Sequence, residues 1–275
     1  MTVKGDNAPI NNPMTVHAEK APGSIGTIAL PTRDHMASET VISLMMSDFR
    51  WADGKPISRV IVQGSQLPLQ RNECVKHMQG DWLLFIDDDM VFGNDAIGAL
   101  VATYYQLKET IEEPLIVGGL CVRRAPPHQP TMYVRCDDGA FNFLEDWEGD
   151  LVEVDATGAA FYLIEKAVFE AIMGGPMPTY EERQELTPWP YYEWIGAMGE
   201  DLRFCDRAQA AGARIVIDTR IRVGHLSERA MTINDFWFNV ANRPEWVTEQ
   251  RKAWNDTMGL PTMDRERALE RLNKG

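Results

Sequence analysis

The chain has 275 residues, 44% of them hydrophobic and 25% charged, the make-up of one large folded domain with additions rather than of a disordered or fibrous chain. Its formal net charge of −14 excludes a broad electrostatic grip on a nucleic-acid backbone, though not a local basic cleft. The scattered cysteines Cys74, Cys121, Cys136 and Cys205 form no CxxC pair, which speaks against a zinc ribbon or a thioredoxin-type site; with no signal peptide and no apolar run of membrane-spanning length, a cytoplasmic protein is expected.

Residues 1–22 lack periodicity and read as a flexible N-terminal arm. Residues 24–30 form an apolar segment of strand character, closed by Pro31, Thr32 and Arg33. Met36, Val41, Leu44 and Met45 then recur at helical spacing, which predicts a helix over 34–47 with Asp34 as its cap. A turn at 53–56 leads to a second strand over 59–63. A helix is expected over 69–78, ended by Gly80. The third strand, from Trp82 to Ile86, runs into three adjacent carboxylates, Asp87, Asp88 and Asp89. Further on come a helix bearing Ile97, Leu100, Val101 and Tyr104 on one face, and a fourth strand over 115–122. This β-α alternation predicts a doubly wound sheet flanked by helices.

Beyond it, Arg123 and Arg124 open a proline-rich stretch that regular structure excludes. Short antiparallel strands are expected over 133–155, a central strand over 157–164 and a helix over 165–173. Residues 176–198 read as a long aromatic loop. Gly199, Glu200 and Asp201 open a helix that Gly212 closes; a strand over 215–218 and an extended piece ending in His225 follow. From about Thr232 the chain is helical and rich in tryptophan.

Three carboxylates at the end of a buried strand repel one another unless a cation joins them, and open α/β sheets bind ligands at the carboxyl ends of their strands. A divalent metal carrying a phosphorylated ligand is one reading; a solvated acidic turn is the other. Arg71 on the preceding helix is explained equally by pairing with these acids.

The ordered set of Asp87-Asp88-Asp89, Gly199-Glu200-Asp201 and Asp218-Thr219 followed by His225 resembles the GT-A glycosyltransferases, in particular family-2-like enzymes, over roughly residues 24–230. Arg71-Asn72 before the acidic strand and Gly158-Ala159-Ala160-Phe161 belong to the same likeness. It implies an α/β GT-A domain over 23–230, a Rossmann-like mixed sheet flanked by helices, with a C-terminal helical extension over 231–275. It also implies a metal-dependent hexosyl transfer from a nucleotide-sugar donor, a UDP-sugar in the first instance, to an acceptor hydroxyl. The alternatives are a catalytically silent nucleotide-sugar binding module and a nucleotidyltransferase of related fold, although the glycine-rich loop usual in the latter is missing after the first strand.

By that resemblance Asp89 and His225 hold Mn²⁺ or Mg²⁺, an imidazole favouring Mn²⁺. Asp87 or Asp88 meets the ribose or the water shell of the metal. Pro31, Thr32, Arg33 and Gln63 surround the nucleotide, and Arg71 approaches the diphosphate. Asp201 is the base that takes the acceptor proton, with inversion at the anomeric carbon. Trp189, Tyr191, Tyr192 and Trp194 are expected to form an acceptor loop or lid, because aromatic faces pack on sugar C–H surfaces; a satellite core pinning the loop is the other reading. The acceptor is left open among a saccharide, a protein and a modified base, and the C-terminal helices are a possible homo-oligomer contact.

Overall fold

The structure is a computed structural model that describes residues 14–33, 35–47, 54–185, 191–194, 198–227, 230–252 and 262–274. In chain order the first half contains β1 (Thr15–Glu19), β2 (Thr27–Thr32), α1 (Ser38–Met46), β3 (Ser58–Gln63), α2 (Leu67–Lys76), β4 (Trp82–Ile86), β5 (Met90–Val91), α3 (Ala96–Lys108) and β6 (Leu115–Leu120). Then come β7 (Met132–Arg135), β8 (Phe141–Phe143), β9 (Leu151–Glu153), β10 (Ala156–Thr157), β11 (Phe161–Glu165), α4 (Lys166–Met173), α5 (Tyr180–Glu185) and α6 (Glu200–Ala210). The last elements are β12 (Arg214–Arg222), β13 (Gly224–Leu226), β14 (Ala230–Met231), α7 (Ile233–Asn242), α8 (Pro244–Lys252) and α9 (Arg265–Lys274).

An eight-stranded mixed sheet runs in the order β1-β3-β2-β4-β11-β6-β12-β9, with helices packed on it, which is the GT-A arrangement. β2 is parallel to both β3 and β4, and β12 is parallel to β6; β11 lies antiparallel between β4 and β6. Every residue of β2, β4 and β6 is buried, as an apolar run covered on both faces requires. Each such leucine or phenylalanine contributes about 1.5–3 kcal/mol when fully buried. Two apolar clusters form, one on each face of the sheet; Trp82, Leu84 and Ile86 enter one, and Leu83 and Phe85 the other, the two-residue alternation of a strand.

Gly80, at φ 79°, makes the turn into β4; a Cβ there would fall 2.3 Å from the Ile25 carbonyl carbon, so the close approach of two backbones demands glycine.

Several boundaries differ from the sequence reading. Part of the expected arm is β1, antiparallel to β3 at the sheet edge. α1 starts at Ser38, later than predicted, and Asp34 lies outside the described residues. α2 starts at Leu67, because Pro68 sits in the first turn, where its missing N–H costs nothing. The stretch read as one aromatic loop contains α5.

Candidate active site

The acidic triplet leaves the carboxyl end of β4, and each of its members has a different set of partners. Asp87 receives two hydrogen bonds from the Arg71 guanidinium, at 2.9 and 3.1 Å, on the neighbouring helix α2. Asp88 accepts from the Thr32 hydroxyl at 2.8 Å and the Arg33 amide at 3.3 Å, at the end of β2, while its carbonyl receives the Ala37 amide. Asp89 faces His225 Nε2 at 3.2 Å and Arg124 Nη1 at 3.3 Å.

The His225 contact is built by backbone pairing. β13 lies antiparallel to β5, with His225 opposite Met90, and the Leu226 amide donates to the Asp89 carbonyl. Residues far apart in the chain are therefore held side by side. His225 Nδ1 lies 3.0 Å from the Val122 carbonyl. Carbonyl and carboxylate oxygens only accept, so Nδ1 carries a proton toward Val122, and Nε2 donates to Asp89 when the ring is protonated. Burial disfavours the imidazolium, but the hydrogen bond and charge of Asp89 prevail and raise the imidazole. Burial by itself would raise Asp89; His225, and then Arg124, bring it below the ordinary carboxylate range. Asp87 is pushed up to about 6, chiefly by burial and then by its acidic neighbours, against the pull of Arg71.

A cavity of about 400 Å³ opens at the triplet, lined by Pro31, Thr32, Arg33, Leu67, Gln70 and the three aspartates, with Arg124 and His225 beside Asp89. A second, of about 350 Å³, adjoins it and shares Leu67, Asp87, Arg124 and His225; its own walls include Arg71, Tyr133, Gly158, Glu200 and Asp201. The acidic triplet and the N-terminus of α6 thus face two halves of one cleft.

Asp201 lies in the first turn of α6, where its Oδ1 accepts the Leu202 amide at 2.7 Å. Burial, and next the charge of Glu200, push it up to about 6, suited to accepting a proton near neutral pH. Glu200 stands between Arg71, 3.7 Å away, and the indole N–H of Trp194, which donates to it at 3.2 Å.

Several expected site residues sit elsewhere. Arg71 is 2% exposed and lines the second cavity, not the first; its guanidinium is committed to Asp87 and the Ala159 carbonyl, so it acts on a ligand only through them. Gln63 ends β3 and lines neither cavity. Tyr191 and Tyr192 are 0% and 2% exposed and belong to the core: Tyr192 stacks on Phe204 and its hydroxyl meets that of Tyr162. They pin the segment, and the satellite-core reading replaces the lid for these two. Trp194 is 60% exposed, and Trp189 lies outside the described residues. Sequence reasoning missed Gln70, Arg124 as an Asp89 partner, Glu200 as a bridge, and Tyr133. Arg124 carried a faint signal, as a basic pair before prolines; Gln70 carried none.

Among the described residues, no three or more His, Cys, Asp or Glu side chains group as a metal centre of their own. Asp89 and His225 offer one oxygen and one nitrogen, the partial set found where substrate oxygens and water complete the coordination.

Residues 50–135, from before β3 through β7 and including the acidic triplet, match the sequence model of the family described as Glycosyl transferase family 2. No curated protein matches the chain. Among solved structures, the one described as "Crystal Structure of A197 from STIV" is similar at 17% identity and a TM-score of 0.47, over 76% of this chain and 91% of that one.

Proposed function

From a GT-A chain that is family-2-like, with its family match centred on the acidic strand, we propose a metal-dependent glycosyltransferase that moves a hexosyl group from a nucleotide-sugar donor, a UDP-sugar, to an acceptor hydroxyl. The observation that carries the reading is the meeting of Asp89 and His225 at 3.2 Å, at the seam between a nucleotide-sized cavity and a second cavity holding Asp201.

Asp89 and His225 are the residues that would hold Mn²⁺, or Mg²⁺. Bound there, such a cation would supply positive charge for the diphosphate leaving group. Arg124, exposed beside Asp89, adds a second cation at the same place. Thr32 and Arg33 fix Asp88 and with it the rim of the nucleotide cavity. Buried Arg71 pairs with Asp87 at the cavity wall and keeps the floor rigid beneath the sugar. Asp201 takes the proton of the acceptor hydroxyl as its oxygen bonds the anomeric carbon and the bond from that carbon to the phosphate oxygen breaks, giving inversion. Trp194, exposed next to Glu200, offers a flat apolar face to an acceptor sugar.

No helix among the described residues is long and apolar enough to cross a membrane. A cytoplasmic setting, a saccharide, protein or modified-base acceptor, and self-association through the C-terminal helices complete the proposal. The test is a screen of nucleotide-sugar donors with Mn²⁺, read by released nucleoside diphosphate and by thermal stabilisation. Absence of both with every donor would overturn the reading.

A further inference from the structure

Helix α1 is built inside out. Its inward face, with the Ser47 that follows it, carries three hydroxyls and one leucine. Thr40 donates to the Asp88 carbonyl at 3.1 Å, Ser43 accepts the Phe92 amide at 3.2 Å, and Ser47 donates to the Ser43 carbonyl at 2.7 Å. Leu44 alone of that face joins an apolar cluster of the sheet. The opposite face presents Val41, Ile42, Met45 and Met46, spaced i, i+1, i+4 and i+5 on one side of the helix. Ile42 is 59% exposed, Met45 77% and Met46 60%.

A surface helix ordinarily turns its apolar stripe to the core. Here hydroxyls with partners of their own take that place, and a contiguous apolar strip left in water marks a contact surface. Charge narrows the occupant. α1 holds a single charged residue, Glu39, and no lysine or arginine. Helices that settle on a bilayer carry lysine and arginine beside their apolar face, which anionic lipids attract; a strip without them, on a chain of net charge −14, lacks that attraction. The same charge sets two copies of this chain against each other except where charge is missing. The outer face of α1 is such a place. Its composition is that of an interface centre, where methionine is enriched and Lys, Glu and Asp are depleted.

We propose that α1 is the centre of a two-fold contact between two copies of this chain, each strip packing on the same strip of the other. Across a two-fold axis an antiparallel pair of helices brings Ile42 of one copy against Met45 and Met46 of the second, and the reverse, so one patch serves both sides. A standard interface buries about 800 Å² per partner; the strip supplies its apolar centre and the polar residues around it the rim. The contact is separate from self-association through the C-terminal helices and does not depend on the transferase reading. His35 and Ala37, just ahead of α1, line the first cavity, so the second copy stands beside the cleft.

The experiment is sedimentation velocity of the full chain between about 1 and about 100 μM, for the unaltered protein, Met45→Glu, Ile42→Gln and, as the control, Phe238→Glu at an exposed position of α7. The unaltered protein is expected to associate as concentration rises, and more tightly as salt goes from about 0.05 to about 0.5 M, because screening relieves the repulsion of two acidic copies. Met45→Glu is expected to weaken association at least about tenfold, Ile42→Gln to weaken it in the same direction, and Phe238→Glu to leave it unchanged. Substitutions this exposed leave folding intact, which an unchanged Tm checks; should one variant fail that check, the other decides. A monomer throughout the range, undiminished association in the α1 variants, association that salt weakens, or loss in Phe238→Glu alone overturns the assignment. Flotation of a monomeric chain with phosphatidylcholine vesicles overturns it in favour of a lipid surface.

Discussion

Asp201→Asn probes the base and the cost of burying it in one variant. Burial first and the neighbouring Glu200 charge second carry this carboxyl from 3.8 to about 6. The folded state therefore binds more protons than the unfolded chain between those values, and it loses stability as pH rises from about 4 to about 6. Above that window the penalty is constant, on the order of 2 kcal/mol once partial solvent access is allowed for. Asparagine carries no charge to desolvate, and its side-chain oxygen still accepts the Leu202 amide. The variant should be more stable than the parent by roughly 2 kcal/mol at about pH 7.5, a rise in Tm of roughly 4 °C, with little gain at about pH 4. Turnover should move the other way. A general base supplies about 10²–10⁴-fold, so donor consumption should fall at least about 100-fold, and the acid limb of the parent profile, near pH 6, should disappear. Thermal unfolding across that pH range and nucleoside diphosphate release with Mn²⁺ measure both effects. Unchanged turnover, or a stability gain of the same size at both pH values, would refute the reasoning.

Asp89→Ala and His225→Ala should each abolish Mn²⁺-dependent thermal stabilisation by the donor while the metal-free protein stays folded, since the pair lies at the edge of the cleft. Arg71→Met should destabilise by about 1.5–3 kcal/mol in chemical denaturation, because it removes two charge-assisted hydrogen bonds from the half-buried Asp87 carboxylate. Gly26→Ala should cost about 1–3 kcal/mol or more by the same assay; its Cβ would stand 2.1 Å from the fully buried Trp82 ring.

What the sequence disclosed follows from how local each signal was. The run from Trp82 to Asp89 carries its own strand pattern and its own charge problem, so both its burial and its place at a ligand-binding edge could be read directly. Asp201 could be read for the same reason, as an acid in the first turn of an amphipathic helix. His225 is a different case. Nothing near it in the chain points to Asp89; only the order of motifs in the resemblance joined them, and the pairing of β13 with β5 is what brings them together. Tyr191 and Tyr192 mislead for the converse reason. Tight aromatic spacing excludes a helical face but says nothing of burial, which depends on Phe204, Tyr162 and Asn72 far along the chain. The antiparallel insertion of β11 between β4 and β6 was equally hidden, because an apolar strand buried on both faces looks alike in either direction.

Three adjacent carboxylates would be a costly feature if they shared one environment, and the structure separates them by partner. Asp87 turns inward to a buried arginine, and Asp88 toward the end of β2, where a hydroxyl and an amide hold it. Asp89 alone faces an imidazole, whose other nitrogen is held by the Val122 carbonyl. Consecutive residues leaving a strand point in different directions, so the separation comes from the backbone and not from chance contacts. The consequence is a division of labour that the triplet itself does not reveal. Two carboxylates are tied into the walls of the cleft, and the third is the one the proposed cation site uses with His225. A shift of one residue in the pairing of β13 with β5 would bring Gly224 or Leu226 to the place of the imidazole, and Asp89 would keep only Arg124. The register of a two-residue strand therefore governs whether Asp89 and His225 meet, the contact on which the proposed metal site depends.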